Sequence, residues 1–247
     1  MKRFKNNNLP IRVVIKSVIL IFCFSTTVVM AAESDAVRSP CPGSKVHVNY
    51  RHRHDFKLVC EAIELLVPRV AQWRMQTGIT TEVIIKDQVD YKNFEDAPPM
   101  QVYGLYQRQF DLIQLISWNS PSLYPGSRQV LGLDVDETLH RSVIIHELSH
   151  AFIRLNAHHK LSSVGQEFWA YVLQLDMLPE EYRNKIMAHY PGRFESREEI
   201  NSIQHAVNPS AFGVQAYRWY QEQGDGLMQE ILDGDFTPDQ LLDAMVH

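Results

Sequence analysis

Beyond its first stretch the chain is short of positive charge. Of 24 Lys and Arg in 247 residues, five (Lys2, Arg3, Lys5, Arg12, Lys16) fall within residues 1–32, where there is no acid. The other 19 face 29 Asp and Glu, so residues 33–247 carry a net −10 rather than the −5 of the whole chain. A body that acidic has no bulk attraction for nucleic acid or for an anionic membrane. Cysteine is also scarce: three residues, too few for a disulfide scaffold. The 11 glycines and 12 prolines form no repeat, linker or low-complexity tract. What remains is an ordinary globular composition, 45% hydrophobic and 21% charged, with length enough for a sizeable core.

The first 32 residues differ from the rest. Ser17–Ala32 (SVILIFCFSTTVVMAA) follows a basic lead, carries no charge and ends in small residues before Glu33. That order reads as a secretory signal peptide, cleaved after Ala31 or Ala32. The alternative, an uncleaved anchor, is disfavoured because the run is short of the residues a membrane span requires. The expected location is therefore the periplasm or the exterior, with no membrane contact once the signal is gone. The exported body then keeps two cysteines, Cys41 and Cys60, which allow one disulfide worth about 3 kcal/mol by loop closure. Two free buried thiols are the other reading.

Hydrophobic periodicity predicts strands first and helices second: an α+β domain over residues 33–247. Strands are expected at 46–50, 80–86, 101–107 and 110–117, and a loop at Pro121, Pro125 and Gly126. A helix over about 56–76 has helical apolar spacing, but Pro68 lies inside it and should kink it. Helices then fit 137–155, capped by Asp134 or Asp136, and 164–177, with shorter ones at 180–189, 196–206, 210–223 and 225–232.

The most informative segment is His146-Glu147-Leu148-Ser149-His150. Two histidines four apart on a helix share a face and can reach one metal ion. Glu147 is turned by about 100° from His146, which sets its carboxylate beside the metal, within reach of a bound water. A catalytic zinc takes three protein ligands and keeps an open position. A third histidine six residues after His150 is excluded, because Asn156 stands there and Ile153 replaces the glycine of that metzincin pattern. His158 and His159 fall past the helix end, in a loop. Glu167 fits better: it lies in the next helix, among Phe168, Trp169, Tyr171 and Val172, and a helix–turn–helix returns it over the first.

HELSH followed by Glu167-Phe168-Trp169-Ala170 resembles the gluzincin branch of the zincin metallopeptidases, over residues 146–170. The resemblance implies a zincin-like fold with one Zn2+ held by His146, His150 and Glu167, and Glu147 as general base. It also implies that the preceding sheet binds an extended peptide or protein substrate along its edge, with 101–107 and 110–117 as candidate strands. In that chemistry the zinc polarises the scissile carbonyl and acidifies a water whose proton Glu147 relays to the departing amine. A second electrophile for the oxyanion is expected among Tyr171, His189, Tyr190, His205 and Tyr217. Tyr217, in an aromatic run with Trp219 and Tyr220, is preferred. Asp176 is the candidate acid for holding a ligand imidazole. Arg51-His52-Arg53-His54 reads as a solvated turn. Two other readings stay open: a zincin-like protein that binds a partner or peptide without turnover, and a zinc hydrolase of another bond.

Overall fold

Short β-branched runs around one long amphipathic helix dictate the first half of the fold. The structure, a computed structural model, describes residues 36–92, 98–123, 129–193 and 195–234. The expected signal (1–32) and Pro125 and Gly126 of the expected loop lie outside these. All described residues belong to one compact unit, Ser34–His247.

In chain order come β1 (Val37–Pro40), β2 (His47–Tyr50), α1 (Arg53–Gln72), β3 (Glu82–Lys86), β4 (Val89–Tyr91), β5 (Met100–Val102), β6 (Gly104–Gln107) and β7 (Leu112–Ile116). The β8 (Gln129–Val130) and β9 (Leu133–Asp134) hairpin leads into α2 (Glu137–Asn156) and α3 (Ser163–Asp176). After these come α4 (Glu180–His189), α5 (Ser202–Val207), α6 (Pro209–Gln223) and α7 (Asp225–Asp233). The architecture is thus α+β, a small N-terminal sheet followed by helices.

The main sheet has the order β1-β2-β3-β7-β6. Helix α1 makes the crossover that lets β2 and β3 run parallel, and β7 is parallel to β3. β6 returns antiparallel to β7 and forms an outer edge of this sheet. Alternation then sorts the faces. Val48, Val83 and Ile113 share a register row and are fully buried. Glu82, Asn49 and Arg38 form a hydrogen-bonded polar cluster on the sheet. Helices α1 and α2 pack together, with α1 against β2 and α2 against β6 and β7.

Pro68 does not break α1, which runs unbroken to Gln72. Pro68 and Glu64, whose carbonyl loses its donor, both face solvent, so water replaces the missing bond. The helix starts earlier than expected, so Arg53 and His54 form its first turn rather than a loop. Its first turn is held by Asp55, which is buried and accepts from Ser117 Oγ (2.7 Å) and the Trp118 backbone N–H (2.8 Å). The expected strand over 101–107 is two strands parted at Tyr103, and Phe110 sits in the β6–β7 turn, 67% exposed. The expected helix at 196–206 is a single 3-10 turn and the short α5.

Cys41 and Cys60 are joined, with Cα atoms 5.3 Å apart, tying the β1–β2 loop to α1. Replacing both by serine removes that loop constraint and should lower unfolding stability by about 3 kcal/mol, read from denaturant titrations. A second effect concerns His140, which is buried under Trp118 with its Nδ1 unpartnered. Burial pushes its pKa down to about 4, so the ring is neutral in the fold and gains a proton on unfolding. Stability should fall as pH drops from about 6.5 to about 4, by at most about 3 kcal/mol for this group. His140→Leu should flatten the pH dependence of chemical unfolding across that window relative to the parent.

Candidate metal centre

Helix α2 is buried on nearly every side, so each polar group within it needs a partner. Asp136 caps it, Oδ1 accepting from the Leu139 N–H at 2.9 Å, while Asp134 belongs to β9. Ser162 caps α3 through the Gly165 N–H (3.0 Å). The short connection between them folds α3 back along α2, antiparallel.

This pairing brings Glu167 over the two histidines. Glu167 Oε2 lies 3.3 Å from His146 Nε2, and Oε1 lies 3.6 Å from His150 Nε2. The three ligand atoms lie within 4.8 Å of one another. A tetrahedral zinc with bonds near 2.1 Å would set its ligands about 3.4 Å apart, so the donor set fits such an ion in type and spacing. His158 and His159 take no part; His158 is exposed and faces Asp233 at 3.9 Å.

One residue that sequence reasoning missed completes the arrangement. Gln174 is 3% exposed, and its Oε1 lies 3.1 Å from His146 Nδ1. Its Nε2 donates to Ser142 Oγ (3.1 Å), which donates to the Leu139 carbonyl (2.7 Å). Because Ser142 spends its proton on that carbonyl, it can only accept from Gln174, which turns the amide oxygen toward His146. With a metal bound, His146 would carry its proton on Nδ1 and present the Nε2 lone pair to the centre. The expected acid, Asp176, is elsewhere: two residues on, it points away and pairs with Arg69 at 2.6 Å.

Glu147 is 7% exposed and packs against the edge strand. A Cβ at position 104 would stand 2.5 Å from its Cγ, so only glycine leaves room for it. The Ile116 N–H donates to the Tyr103 carbonyl (2.9 Å), so in this register the backbone groups of Gly104 and Tyr106 point away from β7. The Tyr106 N–H goes to Glu147, and its ring stacks on His150, 5.7 Å between centroids. Burial pushes the Glu147 carboxyl up to about 7; His146 opposes the shift and Glu167 adds to it. Burial also opposes ionisation of Glu167, yet its three imidazole neighbours hold it well below the usual carboxylate range. Burial pushes the His150 ring down to about 4.

That third imidazole is His205 of α5, with Nε2 3.5 Å from Glu167 Oε2 and a side chain 30% exposed. Tyr171 packs edge-on against His146 (4.6 Å), in a space that a Cβ at Gly213 would fill. The structure does not bring Tyr217 here: it is buried in α6, where its charged neighbours are Asp176, Arg183 and Arg69, at the far end of α3 from Glu167. His189 lies against the β8–β9 turn at Gly132, and its ring pairs with Tyr190. A cavity of about 190 Å3 beside His146 and Glu147 is walled by Val130, Leu131, Val143 and Tyr171. Leu131 is held there at φ +52°, followed by Gly132 at +81°, a turn that keeps an apolar side chain facing the centre.

Residues 46–241 match a family described as a family of unknown function, DUF6639. The chain belongs to that family. The match takes in the whole metal centre, Gln174, Gly104 and His205, and begins after Cys41. No curated protein and no solved structure matches the chain.

Removing the amide contact should loosen the ligand without unfolding the helix pair. Gln174→Leu is expected to weaken zinc affinity by about tenfold to a hundredfold, measured by competition with a chelating dye. Gln174→Glu, which keeps an acceptor, should recover most of it.

Proposed function

We propose that the protein is an exported, zinc-dependent peptidase of the gluzincin type. The observation that carries this reading is Glu147: a buried carboxylate, raised to about 7, beside a set of two imidazoles and one carboxylate spaced for one zinc ion. A metal site that only binds has no use for such a group. The zincin-like reading of the fold is supported by the order of elements, a mixed sheet with an antiparallel edge strand lying against the HELSH helix.

Zinc, when bound by His146, His150 and Glu167, would supply a Lewis acid for the scissile carbonyl and the attacking water. Glu147 removes the water's proton and returns it to the leaving amine; burial raises its proton affinity, and a bound zinc would draw it back toward the carboxylate that accepts the proton. Gln174 keeps His146 in one tautomer and orientation. His205, partly exposed and beside Glu167, replaces Tyr217 as the donor for the oxyanion. The substrate edge is β6, whose outward backbone lies beside Glu147; the 110–117 segment is excluded from that role because β7 is paired on both sides. The cavity at Leu131 and Val143, which Gln129 and Ser210 also line, accepts a side chain of mixed character next to the cleaved bond.

Export is supported by the disulfide, a bond of oxidising compartments. Among the described residues no helix is long and apolar enough to cross a membrane.

Metal analysis with a peptide-library assay tests the reading. The parent protein should hold one zinc per chain and cleave; Glu147→Gln should hold zinc and lose cleavage by about a thousandfold or more. Glu167→Ala should lose tight zinc binding. Zinc without hydrolysis of any peptide would point to a binding protein or another hydrolysed bond, and absence of stoichiometric metal would sink the proposal. For the oxyanion role, His205→Ala is expected to lower kcat by about a hundredfold with zinc content unchanged.

A further inference from the structure

Tyr106 borders two spaces. Its ring stacks on His150, and it also lines an open groove of about 860 Å3 along the end of β6, so this one side chain links the groove to a metal ligand. Among the described residues, Lys92, Arg108 and Arg154 line that groove with Asp90, and Asp111 stands behind Arg154. Arg154 is engaged by Asp111 at 2.9 Å, while Lys92 and Arg108 are exposed. A cationic groove on a body of net −10 is a local reversal of sign, and it adjoins the metal centre.

We propose that this groove binds acidic side chains of the peptide on the N-terminal side of the cleaved bond. The inference rests on the peptidase reading for the position of that bond. With the Tyr106 N–H held by Glu147, a strand added to β6 would pair through the outward groups of Gly104 and the Tyr106 carbonyl, antiparallel as β6 already is to β7. Gly104 abuts Glu147, so the reacting carbonyl lies near the start of β6. An antiparallel ligand then runs its N-terminal residues toward Gln107 and Arg108. Four residues of strand from Gly104 to Arg108 cover about 13 Å, which places the basic groove about two to four residues before the bond. On the other side of Glu147 the cavity is lined by Val130, Leu131 and Val143 together with Gln129, Gln174 and Ser210, and among the described residues no Lys or Arg lines it, so the two sides differ in charge.

The test uses two capped, fluorescein-labelled peptides of identical composition, one with a Glu block in its N-terminal half and aliphatic residues in its C-terminal half, the other with the halves exchanged. Binding to zinc-loaded Glu147→Gln protein is read by anisotropy, and cleavage by the parent protein is read by mass spectrometry. The N-acidic peptide should bind about tenfold more tightly, with the difference shrinking as salt rises. Lys92→Glu with Arg108→Glu, both on exposed side chains, should abolish the preference while leaving zinc content unchanged. Equal binding, preference for the C-acidic isomer, or a preference that survives the double charge reversal would each overturn the proposal. Cleavage of both peptides without preference would remove the groove and leave the peptidase reading. An N-acidic binding preference without cleavage of either peptide would do the opposite.

Discussion

The centre depends on one packing constraint, the antiparallel register of α2 and α3. Along α2, His150, His146 and Ser142 stand one turn apart on one face; along α3, Glu167, Tyr171 and Gln174 do the same. Because the helices run in opposite directions, these residues meet as rungs. Glu167 closes on both histidines, Tyr171 packs on His146, and Gln174 joins His146 to Ser142. A slip of one residue in either helix would turn every rung by about 100° and dissolve the set. The register is held by the large buried side chains around it, Phe152, Phe168 and Trp169, and by the edge-on contact of Trp169 with Trp73 of the flanking segment. Core packing and metal geometry are thus the same constraint.

That explains which parts of the site were legible in the sequence. His146, Glu147 and His150 belong to one helix, where spacing alone decides what shares a face. Glu167 needed only a helix–turn–helix and an apolar neighbourhood in which an inward carboxylate must find a partner. Gln174 was legible in principle, seven residues after Glu167 and therefore on its face, but a neutral amide carries no metal-site signature. Asp176 attracted the assignment through its charge, yet two residues of helix rotate it away, and Arg69 of α1, more than a hundred positions earlier, holds it. Tyr217 failed for the same reason. Its aromatic run packs against the far end of α3, and which end of a helix a later helix meets is a tertiary fact.

In the sheet the local signal was weaker still. Strands of two to five residues offer few alternations, so β6 and β7 were found but not their order. Which of them forms an edge depends on β3 pairing with β7 across a long crossover, and nothing in residues 101–117 encodes that. Pro68 is the converse case. The lost hydrogen bond does not end the helix, because Pro68 and Glu64 both lie on the exposed side of α1.

The position of Glu147 bears most directly on whether the centre turns over substrate. Holding a carboxyl near 7 rather than at its ordinary value disfavours the ionised form by about 3 kcal/mol. The clearance it needs requires glycine in an edge strand, at a further cost of about 0.5–1 kcal/mol. Neither feature serves the three-ligand set, whose atoms are positioned by the α2–α3 register alone. Gln174 and Ser142 show how the fold treats polar groups that position a neighbour: they are neutral and internally paired. Glu147 is treated differently. It is buried but turned toward the cavity between the edge strand and the metal ligands, with the backbone N–H of Tyr106 as a donor. A buried carboxyl in that place has no packing role that the surrounding residues suggest, and it is the feature on which the proposed proton transfer rests.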